Sequence, residues 1–219
     1  MEKTVLDNRE AVKKLLRFDK KSKEIFYYLQ IIQRKKENPD LNVPEIKRWR
    51  LFISDPKSLE KSDKYIEFLC KSMNARAYLS VLPRSLKKYS TEVIKSYLLR
   101  IEENNYDQCF RIGDKIALSD KIVQWKGVLD KSRLLLDFDE PQENKDGVKL
   151  NLEEKGFVIE SILPTKNGFH IIVENCNPEF LLKGTKGTGG TGDIECDGLK
   201  FTVIRQCNTV YYAAWEEGA

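Results

Sequence analysis

The chain has 219 residues, 41% hydrophobic and 33% charged, enough to bury one substantial core and too few for two independent enzymes. No apolar run approaches the ~20 residues of a membrane helix, and the first residues lack the basic-then-apolar pattern of a secretory signal, so the cytoplasm is the expected location. Net charge is +4 but divided: residues 1–100 hold 24 Lys and Arg against 13 Asp and Glu, and the remainder holds 14 against 21. A basic N-terminal part of this kind suits a segment that grips a polyanion, and it equally suits a solvated helical surface.

Residues 8–37 read as one or two helices, because Val12, Leu15, Leu16, Ile25, Phe26, Leu29 and Ile32 recur at three- and four-residue steps among lysines. Asn38-Pro39-Asp40 breaks that pattern. Residues 41–74 read as further short helices, one of them amphipathic over 63–73 with Tyr65, Ile66, Phe68 and Leu69. Between them, Lys47-Arg48-Trp49-Arg50 interleaves cations with an aromatic, a combination that pairs with phosphate and stacks on bases; a tryptophan on a helical face is also ordinary core. These residues, with Arg76, are the candidates for nucleic-acid binding.

The expected domain boundary lies near Asn74, dividing a basic helical region over 1–74 from a second domain over 75–219. Residues 75–82 alternate as a strand ended by Pro83. Ser90-Thr91-Glu92 opens a helix through Asn104 whose buried stripe would be Val93, Ile94, Tyr97, Leu98 and Ile101. Residues 105–130, with Trp125, suggest a short packed element without assigned chemistry.

In Leu134-Leu135-Leu136-Asp137-Phe138-Asp139 the strand period puts Leu134, Leu136 and Phe138 on one face and Leu135, Asp137 and Asp139 on the other. Two ionised carboxylates side by side repel each other unless they hold a hard cation such as Mg2+ or Mn2+. A polar loop over 142–147, a short helix over 148–155 and a stop at Gly156 follow. Residues 157–163 read as a strand, Pro164 to Gly168 as a hairpin turn marked by Asn167-Gly168, and 169–174 as the returning strand that carries His170, the sole histidine. The D-x-D strand and the G-x-H strand can therefore be neighbours in one sheet.

This order of motifs resembles the archaeo-eukaryotic primase (primase-polymerase) superfamily, in which an apolar run enters D-x-D or D-x-E and a later strand carries small-x-His; the resemblance covers roughly residues 75–215. Gly168 takes the small position. The resemblance implies an α+β fold, with an N-terminal helical region and an RRM-like palm built on a mainly antiparallel sheet. It implies Asp137, Asp139 and His170 as catalytic residues: both aspartates as ligands of Mg2+ or Mn2+, and His170, with Lys166 and Gly168, at the phosphates of an incoming NTP or dNTP. The substrate would be a single-stranded DNA or RNA template, with a replication protein as partner. A third acid is expected on a later strand; of Asp193, Glu195 and Asp197, Asp197 is the choice, although Asp197-Gly198 is also an ordinary turn dipeptide.

Residues 184–192 contain G-x-G-x-x-G, but neither the flanking elements of a dinucleotide site nor the lysine of a P-loop accompanies it, so a flexible loop is expected. Residues 199–205 and 209–214 read as the last hairpin of the sheet. Five widely spaced cysteines without a C-x-x-C pair suggest neither a disulfide framework nor the zinc element of many replicative primases. The leading expectation is a metal-dependent nucleotidyltransferase. The alternatives are a catalytically silent nucleic-acid- or partner-binding palm and a metal-dependent nuclease, since paired carboxylates also serve phosphodiester hydrolysis.

Overall fold

The computed structural model describes residues 3–18, 24–104, 133–174, 191–196, 199–204 and 208–216. Its elements in order are β1 (Lys3–Asp7), α1 (Arg9–Leu15), β2 (Ile25–Arg34), β3 (Glu45–Ile53), α2 (Pro56–Met73), β4 (Ala75–Ser80), β5 (Arg84–Ser85) and α3 (Leu86–Glu102). After residues 105–132 come β6 (Arg133–Phe138), a 3-10 turn (Gln142–Asn144), α4 (Lys145–Glu154), β7 (Val158–Pro164), β8 (Phe169–Glu174), β9 (Thr191–Cys196), β10 (Leu199–Ile204) and β11 (Asn208–Glu216). The class is α+β. Two antiparallel sheets form, one in the order β1-β11-β4-β2-β3 with β5 attached to β2, the other β7-β8-β6-β10-β9.

The N-terminal part departs from the helical expectation. Only Arg9–Leu15 of residues 8–37 is helical there, and Ile25–Arg34 is a strand buried along nearly its whole length. Ile25, Phe26, Tyr27, Tyr28, Leu29, Ile31 and Ile32 form a near-continuous run of β-branched, aromatic and aliphatic residues. Such a run matches helical spacing by accident and suits a strand covered on both faces. Residues 35–44 turn the chain, closed by Lys35 N–H donating to Pro44 O at 2.8 Å, and β3 returns beside β2 with a register shift between Ile31 and Ile32.

Helix α2 is longer than its amphipathic core suggested. Asp55 caps it by accepting from the Ser58 N–H at 2.9 Å, Pro56 occupies the first turn, and Asn74 ends it in the left-handed region at φ 45°. Asn74 then falls at a helix–strand junction inside the fold: β4 pairs with β2 on one side and with β11 on the other. The first sheet thus draws strands from both ends of the chain, whereas the second is built wholly from residues 133–204. Helix α3 also differs: it starts at Leu86, capped by Ser85, and buries no residue. Its expected stripe leaves Ile94 and Leu98 more than half exposed. The last two strands do not form a hairpin, because β10 pairs with β6 and β9 while β11 crosses to the centre of the first sheet. Burial of β11 from Thr209 to Trp215 is that of a central strand, which needs neighbours on both sides.

The sheets share a core in which Leu135, Leu163 and Ile172 of the second meet Tyr27, Leu29, Leu79 and Tyr211 of the first, together with Val12 and Leu15 of α1. Polar links fix the junction. Arg133, buried at the start of β6, donates to Leu15 O at 2.7 Å and Val81 O at 2.9 Å and pairs with Glu160 at 2.5 Å. Asn8 Nδ2 donates to Pro164 O at 2.9 Å and Val210 O at 3.0 Å, tying β7 to β11. Asn8→Ala strands two buried carbonyls and is expected to cost about 1–3 kcal/mol, read as a lower urea midpoint at constant slope; an unchanged midpoint would remove this link from the account.

On the far face of the first sheet α2 packs Cys70 with its Sγ 3.9 Å from Tyr212 O. Burial pushes the Cys70 thiol up to about 12, so almost no thiolate exists near neutral pH. Native protein is therefore expected to leave Cys70 unalkylated by iodoacetamide under conditions that label it fully in urea, as peptide mass mapping reads directly. Labelling at equal rates in both states would mean that α2 opens readily.

Candidate functional site

The site is built on β6 and β8, adjacent strands near the middle of the second sheet. Their register sets Asp137 opposite His170, Phe138 opposite Phe169 and Leu136 opposite Ile171. One face is apolar: Leu136, Phe138, Phe169, Ile171, Val173, Phe201 and Val203 pack with Val148 and Leu152 of α4, and the Phe138 ring lies 5.3 Å from Phe169 and 5.1 Å from Phe201. Because side chains alternate along a strand, burying that face forces Asp137 and His170 onto the other. That other face looks toward the junction with the first sheet.

There His170 Nε2 lies 3.2 Å from Asp137 Oδ1, with the histidine side chain 6% and the aspartate side chain 31% accessible. The second ring nitrogen, Nδ1, lies 2.9 Å from Thr209 Oγ1 on β11. Asp137 is thus held at one edge and open at another. Asp139 follows one residue beyond the end of β6 and is exposed.

Gly168 explains how the hairpin meets the D-x-D segment. A Cβ built there would run into the Phe138 carbonyl oxygen and lie 2.9 Å from Glu140 N and 3.0 Å from Glu140 O. The turn is further anchored by Thr165 N–H donating to Gly168 O at 2.8 Å, Gly168 N–H donating to Thr165 Oγ1 at 3.1 Å, and Gln142 Nε2 donating to Gly168 O. The small residue is required by close backbone approach. Lys166, exposed in the same turn, puts its Nζ 5.0 Å from the centroid of the Trp215 ring, a cation–π contact.

The basic candidates divide. Cross-strand register sets Lys47 in one row with Ile32 and Arg76, and Arg50 in one row with Gln30 and Tyr78, so Lys47, Arg50 and Arg76 share a face of the first sheet. Trp49 lies in the row of Ile31 and Ala77 on the opposite face, edge-on to Tyr65 of α2 at 5.3 Å. Arg48, at the register shift, is exposed and donates from Nε to Gln33 Oε1. Four consecutive residues of a strand cannot form one patch, and the expectation that they do rested on a helix. Arg76 is buried and paired with the buried Glu37, so its charge is already neutralised.

For a third acid, Asp197 lies outside the described residues. Asp193 sits on β9 opposite Thr202, which is itself opposite Asp137; two strand spacings separate the two aspartates, on the order of 10 Å. Among the described residues no three His, Cys, Asp or Glu side chains converge as a metal site, and no helix is long and apolar enough to cross a membrane. The donor set is therefore Asp137 and Asp139, hard oxygen ligands of the kind that hold Mg2+ together with substrate phosphates rather than in an all-protein cage. Thr209 is the residue that sequence reading missed, for it lies 39 positions from His170 and no local pattern marks it.

No family model matches the chain, and neither does any curated protein or any solved structure.

Proposed function

We propose that the chain is a metal-dependent nucleotidyltransferase of the primase-polymerase type, acting on a nucleic-acid template. The observation that carries the reading is the register of Asp137 against His170 on neighbouring inner strands, with the aspartate partly open to solvent and Asp139 just beyond it. Support also comes from topology: β6, α4 and β7 form a β-α-β unit with β8 lying between its two strands, the split arrangement of ferredoxin-like sheets and the one an RRM-like palm requires.

In this reading Asp137 and Asp139 hold Mg2+ or Mn2+, which supplies Lewis-acid activation of the attacking hydroxyl and charge stabilisation of the leaving pyrophosphate. His170 donates to the triphosphate from Nε2, and Lys166, on the exposed turn, adds a mobile positive charge near it. Gly168 lets the turn close on the Phe138–Glu140 backbone, setting the distance between the carboxylates and the phosphate-binding groups. Lys47, Arg48 and Arg50 of β3 supply cations for the template, whose phosphates reward any such charge regardless of sequence. Arg76, neutralised by Glu37, shapes that surface rather than binding it. Asp193, in the row of Asp137, becomes the candidate third acid. An NTP or dNTP as co-substrate, a replication protein as partner and a cytoplasmic location follow from the same reading.

Product analysis on a gel tests it. Protein, labelled nucleotides and single-stranded template with Mg2+ or Mn2+ are expected to give extended chains. Template shortening would replace the reading with a nuclease. Neither product, with template bound, would leave a silent binding protein.

A further inference from the structure

His170 is held from two sheets at once. Its Nε2 faces Asp137 on β6 at 3.2 Å, and its Nδ1 faces the hydroxyl of Thr209, fully buried on β11 of the other sheet, at 2.9 Å. An ionised carboxylate only accepts hydrogen bonds, so Nε2 carries a hydrogen; in a neutral ring Nδ1 is then a lone pair, and the hydroxyl, which can donate or accept, donates to it. Asp137 has a competing use as a ligand of a cation. When its carboxylate turns away, Thr209 is the one printed partner that still specifies which ring nitrogen bears the hydrogen.

We infer that Thr209 is a positioning residue: its hydroxyl locks the His170 ring as the Nε2–H tautomer and fixes its plane, so that the ring presents a donor, and not a lone pair, toward the Asp137 side. The ligand that receives this donor is a phosphoryl oxygen of the incoming triphosphate, and that assignment rests on the function proposed above; the tautomer does not. The arrangement also gives β11 a role beyond the core. Thr209 stands opposite Leu79 in the first sheet, so the orientation of a side chain in the second sheet is set by a strand of the first, and correct docking of the two sheets becomes a condition for binding phosphate. The logic is that of outer-shell groups that orient a functional imidazole through its second nitrogen.

One histidine in the chain makes the test direct. In long-range proton–nitrogen spectra of the full chain, at a pH where the ring is neutral, Asp137→Ala is expected to show a single Nε2–H imidazole, and Asp137→Ala/Thr209→Ser the same. Asp137→Ala/Thr209→Val is expected to show a mixture of both tautomers. Thr209→Ala in the same background gives the same reading should valine disturb the strand. A ring that stays wholly Nε2–H in both hydroxyl-free variants overturns the inference. With Asp137 intact, Thr209→Val is expected to raise KM for the nucleotide roughly tenfold, with a smaller change in kcat, and Thr209→Ser to restore it. The two claims fail separately: a tautomer mixture in a protein that never incorporates nucleotide keeps the positioning role and removes the polymerase reading, whereas normal incorporation with an undisturbed tautomer and KM does the reverse.

Discussion

Asp137→Asn is expected to lower nucleotide incorporation by a factor of about 10²–10³ while leaving the fold intact. Asparagine keeps the shape of the side chain, and its carbonyl oxygen can still accept from His170 Nε2, so the local hydrogen bond seen at 3.2 Å survives the change. What disappears is the negative charge, and a neutral amide is a poor ligand for a hard divalent cation. The residue is partly solvent-accessible and sits on the polar face of β6, so removing its charge strands no buried partner; the urea midpoint should move by no more than about 1 kcal/mol equivalent. Initial rates of labelled-nucleotide incorporation in Mg2+ and in Mn2+, beside urea curves of the same preparations, check both halves. An asparagine variant with near wild-type rates would mean that Asp137 serves only to orient His170.

Gly168→Ala is expected to be the most damaging single methyl in the described structure, at about 3 kcal/mol or more. The added carbon would meet the Phe138 carbonyl oxygen and two backbone atoms of Glu140, none of which can turn aside as a side-chain tip can. Nor can Gly168 retreat, because its N–H and carbonyl are both engaged within the 165–168 turn and by Gln142. The backbone of the D-x-D segment must therefore move, which predicts loss of activity together with a lower urea midpoint at constant slope. Gly147→Ala is the matched control: it lies within α4 with nothing within 4 Å of a built Cβ, and alanine there should stabilise by about 0.5–1 kcal/mol. Equal, small effects at both positions would show that the turn is not pressed against β6.

The part of the chain that was legible in the sequence is the part with local punctuation. Asn167-Gly168 marks a turn, the alternation around Asp137 marks a half-polar strand, and Gly156 ends α4 in the left-handed region at φ 82°; each signal is carried by a few adjacent residues. The strand over 25–34 was not legible as a strand, because a segment buried on both faces has no alternation to read and its apolar positions satisfy a helical period as well. The same error carried Lys47-Arg48-Trp49-Arg50 onto one helical face, when the pleat of β3 sends Trp49 to the α2 side and Lys47 and Arg50 to the other. Helix α3 was legible in type but not in burial, since its apolar stripe carries no information about what lies against it. Strand pairing across long separations, as of β11 with β4 and β1, and the Thr209–His170 contact that follows from it, have no local signature at all.

The central claim is that Asp137 and Asp139 take a divalent cation together with a triphosphate whose phosphates reach His170. Binding of Mn2+, followed by its effect on water-proton relaxation with and without a nucleoside triphosphate, tests this most directly. The account predicts weak Mn2+ binding by the free chain, clear tightening when the triphosphate is present, and loss of that tightening in Asp137→Asn and Asp139→Asn, with His170→Ala reducing triphosphate affinity alone. Mn2+ and triphosphate binding that is the same in wild type and in both aspartate variants would contradict it.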